Sequence, residues 1–153
     1  MTDVMTSEAR SENMRRIRGA DTQPELALRR ALHSQGLRYR VAPRNLPGRP
    51  DIAFTKDRFA VFVHGCFWHR HNCRNAAVPK TNIGFWEKKF ELNIARDQRV
   101  VDSLLASGWR VCVVWECAIR GSDEQNIKDL ARVVSDWRFR QASYMEISSG
   151  VEV

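Results

Sequence analysis

The chain has 153 residues, 43% of them hydrophobic, and a formal net charge of +7. That length suits one domain with its own core, and that hydrophobic share excludes a disordered chain. The positive balance favours a polyanionic partner, most often nucleic acid; the bland alternative is a merely basic soluble protein.

No apolar run approaches the about 18 residues of a membrane span. Met1 to Arg10 is polar and does not read as a signal peptide. In a chain expected to be intracellular, Cys66, Cys73, Cys112 and Cys117 favour a metal over disulfides. From Ser11 to Arg18 three arginines surround Met14 and Ile17. This stretch suits a basic helix lying along phosphates, or else a solvated N-terminal helix. Thr22-Gln23-Pro24-Glu25 predicts a helix start, with Thr22 as cap and Glu25 completing a capping box. Leu28, Ala31 and Leu32 supply its apolar stripe, which ends near Gly36. Glu25 leans toward that buried face, which leaves a site role open beside the capping role.

Leu37, Tyr39 and Val41 alternate with arginines and predict a half-buried strand. A turn-rich loop from Pro43 to Pro50 follows, and Asp51 opens the short run Ile-Ala-Phe. Phe59 to Val63 is a continuous apolar run, the pattern of a buried central strand, and it delivers His64 at its end. A short hairpin there sets Asp51 beside the His64 region. Phe85 to Ser107 predicts a long helix with Phe90, Ile94, Val101, Leu104 and Leu105 near one face. Asp97 lies in that stripe, where a carboxylate needs a partner such as an arginine, a metal or a polar network. Trp109 to Trp115 is a second apolar strand leading to Glu116 and Cys117. Cys112 falls inside it as a core residue. Asp123 to Arg138 predicts a last helix, with Ile127, Leu130, Val134 and Trp137 on one side. Residues 139–153 read as a tail.

The densest chemistry lies between His64 and Cys73, which reads His-Gly-Cys-Phe-Trp-His-Arg-His-Asn-Cys. Thiolate and imidazole are the preferred ligands of zinc. Cys66, His71, Cys73 and Cys117 make a closed Cys₃His set, and closed four-ligand sites are structural. His64 and His69 are then left over, near Asp51. A carboxylate can hold Mg²⁺ through one or two oxygens with phosphate and water completing the shell. A histidine can take the proton of the attacking water. Phe67 and Trp68, between the ligands, are hard to bury together, so the loop presents them.

The chain resembles the very short patch repair (Vsr) endonuclease family from about Thr6 to about Trp137. The matching segments are Ser-Glu-Asn-Met-Arg (11–15), Leu-Pro-Gly-Arg-Pro-Asp (46–51), His-Gly-Cys-Phe-Trp-His (64–69), His-Asn-Cys (71–73), Phe-Trp (85–86), Arg-Asp (96–97), Gly-Trp-Arg-Val (108–111) and Val-Trp-Glu-Cys (114–117). The resemblance implies an α/β fold with a type II restriction-endonuclease-like core, a central mixed sheet flanked by helices and a structural zinc site. It implies a monomeric, Mg²⁺-dependent nickase of T:G mismatches, acting on double-stranded DNA in the bacterial cytoplasm at the nucleoid, with mismatch-repair proteins as further partners. Asp51 would bind Mg²⁺ and His69 would act as general base. Glu25, His64 and Asp97 would support the metal-bound waters and the phosphate. Cys66, His71, Cys73 and Cys117 would hold zinc. Phe67, Trp68 and Trp86 would wedge into DNA from the major groove, with Met14 opposite. Residues 1–20 then form a DNA-contacting segment, 21–138 the endonuclease domain and 139–153 a C-terminal tail.

Two departures bear on this. The Asp/Glu-x-Lys of the wider nuclease superfamily is absent, since the strand ends Val63-His64-Gly65; the family shares that loss, and histidines replace the lysine. The family pattern also has threonine where this chain has Val63, which is harmless if the backbone carbonyl ligates the metal. A zinc-stabilised DNA-binding module without catalysis, or a restriction enzyme with another target, would share many of these features. A mere binder has no use for Asp51, Glu25 and Asp97 near a phosphate, which they would repel without a cation.

Overall fold

The structure, a computed structural model, describes residues 22–71, 78–120, 122–148 and 151–152. Two apolar runs set the architecture. Phe59–His64 (β2) and Arg110–Trp115 (β3) pair in parallel, with His64 opposite Trp115. Both strands are apolar on two faces because helices cover both. Ile52–Phe54 (β1) pairs antiparallel with β2, Tyr144–Ser148 (β4) pairs parallel with β3, and Val151–Glu152 (β5) pairs antiparallel with β4. The result is a five-stranded mixed sheet in the order β1-β2-β3-β4-β5.

Alternation along the strands sorts the core into two halves. Phe59, Val61 and Val63 of β2, with Cys112 and Val114 of β3, face helices Gln23–Ser34 (α1) and Glu124–Trp137 (α3). Ala60 and Phe62, with Val111 and Val113, face helix Ile83–Ala106 (α2). Burying each such aliphatic or aromatic side chain fully stabilises by roughly 1.5–3 kcal/mol. The same alternation turns His64 and Trp115 to the α2 side. The expected α/β class, with a central mixed sheet flanked by helices, is thus what the chain adopts.

The loop before β1 is pressed onto α2. Gly48 has φ +71°, and a Cβ there would lie 2.4 Å from a Val100 methyl. Only glycine meets both conditions, so this residue sets how closely the segment carrying Asp51 approaches the helix carrying Asp97.

Several expectations need correction. Leu37 to Val41 is no strand: the segment makes one isolated bridge, Arg40 to Ala53, and Val41 is 48% exposed. A turn at Ala42, φ 44°, draws the chain away from the sheet edge. Thr22 occupies the N-cap position of α1 without a side-chain cap bond, and Glu25 turns inward to Arg29, so no capping box forms. Ile94 on α2 is 49% exposed, so the buried stripe runs through Phe90 and Leu104 with Asp97 at its edge. Residues 139–153, read as a tail, supply β4 and β5; Met145 and Ile147 bury in the core. The N-terminal stretch with Met14, and Cys73 in the loop, lie outside the described residues.

Candidate active site

A cleft of about 680 Å³ opens between the β2 end, the 42–51 loop and α2. Asp51 and Glu25 stand on one wall. Asp51 Oδ2 accepts a 2.6 Å hydrogen bond from the Val63 backbone N–H, which locks the carboxylate to the central strand. Glu25 comes from the first turn of α1 and is buried with Arg29, which donates to Glu25 Oε2 at 3.3 Å and to the Asp51 carbonyl at 3.2 Å. Two carboxylates therefore share a dry corner with one guanidinium. Burial first, and the Glu25 charge next, push the Asp51 carboxyl up to about 7 from its usual 3.8. Such a pair wants a cation, and a hard divalent ion suits an all-oxygen corner.

The opposite wall carries the histidines. His64 leaves β2 on the α2 side, and the turn from Gly65 to Arg70 folds back through His69 N–H to Gly65 carbonyl and His71 N–H to Cys66 carbonyl bonds of 3.1 and 3.0 Å. This turn stacks His69 on His64 with centroids 3.9 Å and planes 5° apart. Asp97 on α2 hydrogen-bonds His69 Nδ1, leaving Nε2 as the nitrogen free to accept a proton. Burial, with His69 as the next cause, drives His64 down to about 3, so it stays neutral at working pH. His64, His69 and Asp97 also offer ligand atoms within 4.8 Å of one another.

Behind the turn lies a second cluster. Cys66 Sγ and Cys117 Sγ lie 3.7 and 3.6 Å from His71 Nδ1. Zinc bonds of about 2.3 Å to sulfur and about 2.0 Å to nitrogen, at a tetrahedral angle, separate such atoms by about 3.5 Å. The spacing therefore fits three corners of a zinc tetrahedron. Cys112 is buried inside β3, away from this set, as its place in the strand implied.

Phe67, Trp68 and Trp86 come together as expected, around Phe90. Phe67 meets Trp68, Trp86 and Phe90 at 5.2, 5.4 and 5.3 Å, each near a right angle. The rings are half-buried rather than held out, because α2 supplies a seat: Asn93 Nδ2 donates to the Trp68 carbonyl and the Arg70 guanidinium lies 4.4 Å from the Phe90 ring. Phe85, one position earlier, is 61% exposed.

A family model described as DNA mismatch endonuclease Vsr matches residues 2–75. The DNA mismatch endonuclease Vsr of Escherichia coli K12 is 43% identical over 137 residues, covering 90% of this chain and 88% of that protein. The type II nicking enzyme V.XorIIP of Xanthomonas oryzae pv. oryzae is 49% identical over 119 residues, covering 78% of this chain and 88% of its own length. The type II nicking enzyme V.NmeAIP of Neisseria meningitidis is 38% identical over 138 residues, 89% of this chain and 99% of the relative.

The chain belongs to the Vsr family of DNA mismatch endonucleases. It is a nuclease acting on phosphodiester bonds, with DNA as its substrate. No helix among the described residues is long and apolar enough to cross a membrane. The Vsr family match ends at residue 75, before Asp97 and Cys117, and the fold itself brings those two to the histidine turn. Sequence reasoning missed Arg29, whose spacing of four from Glu25 was a legible signal. It also missed Arg49 and Arg96, which line the cleft, and Trp115, which touches three histidines.

Proposed function

We propose that this Vsr-family enzyme nicks double-stranded DNA 5′ of the thymine of a T:G mismatch, the lesion left by deamination of 5-methylcytosine, and so starts very short patch repair. The observation that carries the reading is one cleft with a paired-carboxylate corner on one wall and a carboxylate-oriented histidine on the other. We assign the fold to the type II restriction-endonuclease-like class, with residues 21–138 together with β4 and β5 as its catalytic core and 1–20 as a DNA-contacting segment.

Asp51 and the Val63 carbonyl would hold Mg²⁺, with Glu25 supporting its bound waters. A bound Mg²⁺ supplies Lewis-acid stabilisation of the charge that grows on the phosphate oxygens. The Val63 side chain packs in the core, while its backbone N–H binds Asp51. A backbone role suits valine as well as threonine. Arg29 keeps Glu25 and the Asp51 backbone in place through its bonds to Glu25 Oε2 and the Asp51 carbonyl.

His69 Nε2 takes the proton of the attacking water, and Asp97 on Nδ1 fixes the tautomer that makes this nitrogen basic. Neutral His64, stacked on it, excludes water from one face and adds no competing charge. Cys66, His71 and Cys117, with Cys73, would hold a structural zinc that braces the turn carrying His69. Phe67, Trp68 and Trp86 would enter the duplex beside the lesion, with Met14 opposite, where unstacking is easiest. The enzyme acts as a monomer, with mismatch-repair proteins as partners at the nucleoid.

The test is single-turnover nicking of a T:G duplex at saturating Mg²⁺. Asp51→Ala should abolish nicking with zinc content and mismatch binding kept. His69→Ala should lose on the order of 10²-fold or more, the size of a lost general base. A parental rate in either would remove that residue from the catalytic assignment, and a parent that binds the T:G duplex without nicking it would favour a non-catalytic binder.

A further inference from the structure

The end of β3 stands beside the end of β2, Trp115 opposite His64, and both side chains face α2. The indole of Trp115 lies between the two histidine clusters. On one side it stacks on His71, with centroids 4.3 Å and planes 13° apart. On the other it meets His64 edge to face, at 5.4 Å and 73°, and reaches His69 at 6.4 Å and 70°. His64 and His69 stack on one another in turn. An unbroken set of rings thus runs from the thiolate cluster to the His69–Asp97 bond.

The indole makes no polar use of its place. Its Nε1 is buried and has no hydrogen-bond partner among the described residues. The faces and edges of the ring are what the site uses. His69 needs them. The Asp97 bond fixes one nitrogen of the imidazole but leaves the ring free to tilt about that bond. The His64 face limits that tilt, and the His64 ring is bordered in turn by Trp115 at 5.4 Å and Phe62 at 5.7 Å.

We infer that Trp115 is a positioning residue for the nicking reaction: its indole holds the His64–His69 stack in register with the His71 ring, and so aims His69 Nε2 into the cleft. This rests on His69 being the general base. A base aimed wrongly by a fraction of an ångström loses turnover while the DNA-binding surface and the thiolates stay as they were.

The experiment compares Trp115→Leu and Trp115→Phe with the parent for zinc per chain, affinity for T:G duplex, and single-turnover nicking. Both variants should keep their zinc and bind within a factor of about two, as groups not in contact with the ligand do. Trp115→Leu should nick about 10- to 100-fold more slowly, the scale of a misplaced catalytic group. Trp115→Phe, which keeps a flat ring, should recover most of that loss. Long-range ¹⁵N–¹H spectra of the imidazoles should show His64 and His69 ring signals displaced in both variants. A parental rate in Trp115→Leu overturns the inference. So does a rate loss matched by an equal loss of zinc, or a Phe variant as slow as the Leu variant. If Trp115→Leu does not fold, unchanged His64 and His69 ring signals in Trp115→Phe overturn it. His69→Ala in the same assay separates the levels: a parental rate there removes the base reading itself, while a slow His69→Ala beside a parental Trp115→Leu removes this inference alone.

Discussion

Asp51→Asn should disable the enzyme and stabilise the magnesium-free protein. The Asp51 carboxyl is buried against Glu25 and sits at about 7 in the fold, against 3.8 for a free side chain. A raised acid pKa means the fold favours the protonated form, so between those two values the folded chain holds a proton that the unfolded chain has released. Stability therefore falls as pH rises from about 4 to about 7, and stays low above. About three pH units at about 1.4 kcal/mol each set a ceiling of about 4 kcal/mol. Asparagine has nearly the same shape, can still accept the Val63 N–H with its Oδ1, and puts an N–H₂ toward Glu25 where the carboxylate repelled it. About 2–3 kcal/mol should be recovered at pH 8, which in a domain of this size is about 5–10 °C in Tm. The assay is thermal unfolding of zinc-loaded, magnesium-free protein from pH 4 to pH 8. The advantage of the variant should vanish toward pH 4. Saturating Mg²⁺ should raise the parental Tm and leave the variant where it was, since only the parent binds the ion. A variant less stable than the parent at pH 8 would refute the reasoning, because it would mean the carboxylate is satisfied without a cation.

Cys117→Ala should drop zinc from about one ion per chain toward none and cost much of the stability, since the ion's binding energy is part of the folding energy. Cys112→Ala should keep its zinc, and metal analysis of the two proteins checks both. Asp97→Asn should slow nicking by about 10²–10⁴-fold with duplex affinity kept, as expected when a histidine loses the carboxylate that sets its tautomer; gel-based nicking and binding measure the two. Trp68→Ala should cost about 1–2 kcal/mol from its place in the half-buried ring cluster and weaken T:G binding about tenfold. A stability loss with unchanged mismatch affinity would make Trp68 a packing residue only. Gly48→Ala should destabilise by about 1–3 kcal/mol through the positive φ and the Val100 contact, read as a lower urea midpoint.

Much of the site was legible because its residues come in short runs. The segment from His64 to Cys73 places candidate zinc ligands and two further histidines within ten residues, and a continuous apolar run announces the strand that leads into it. The pairing of Asp51 with the β2 end followed from a hairpin only a few residues long, and the structure has it. What escaped depends on register. That Trp115 stands against His64 follows from the parallel pairing of β2 with β3, and no local pattern specifies that offset. The strand at Tyr144–Ser148 was missed because it is only five residues long and follows the last predicted helix; its alternation, with Met145 and Ile147 buried, was a legible signal. The capping box failed because Glu25, though it has the spacing of a cap, turns inward to pair with the buried Arg29 four residues on in the same helix. Phe67 and Trp68 were expected to stand out because the metal loop alone cannot bury them, and α2 supplies Phe90 and Trp86 to half-cover them.

The central claim is that the cleft cuts one strand at a T:G mismatch in a divalent-cation-dependent way. The direct measurement is single-turnover cleavage of end-labelled duplexes that differ only at one pair, T:G, C:G or T:A, with and without Mg²⁺. The account predicts a single nick immediately 5′ of the mismatched thymine, seen only with T:G and only with Mg²⁺. Equal cutting of all three duplexes, or full activity without any divalent cation, would contradict it.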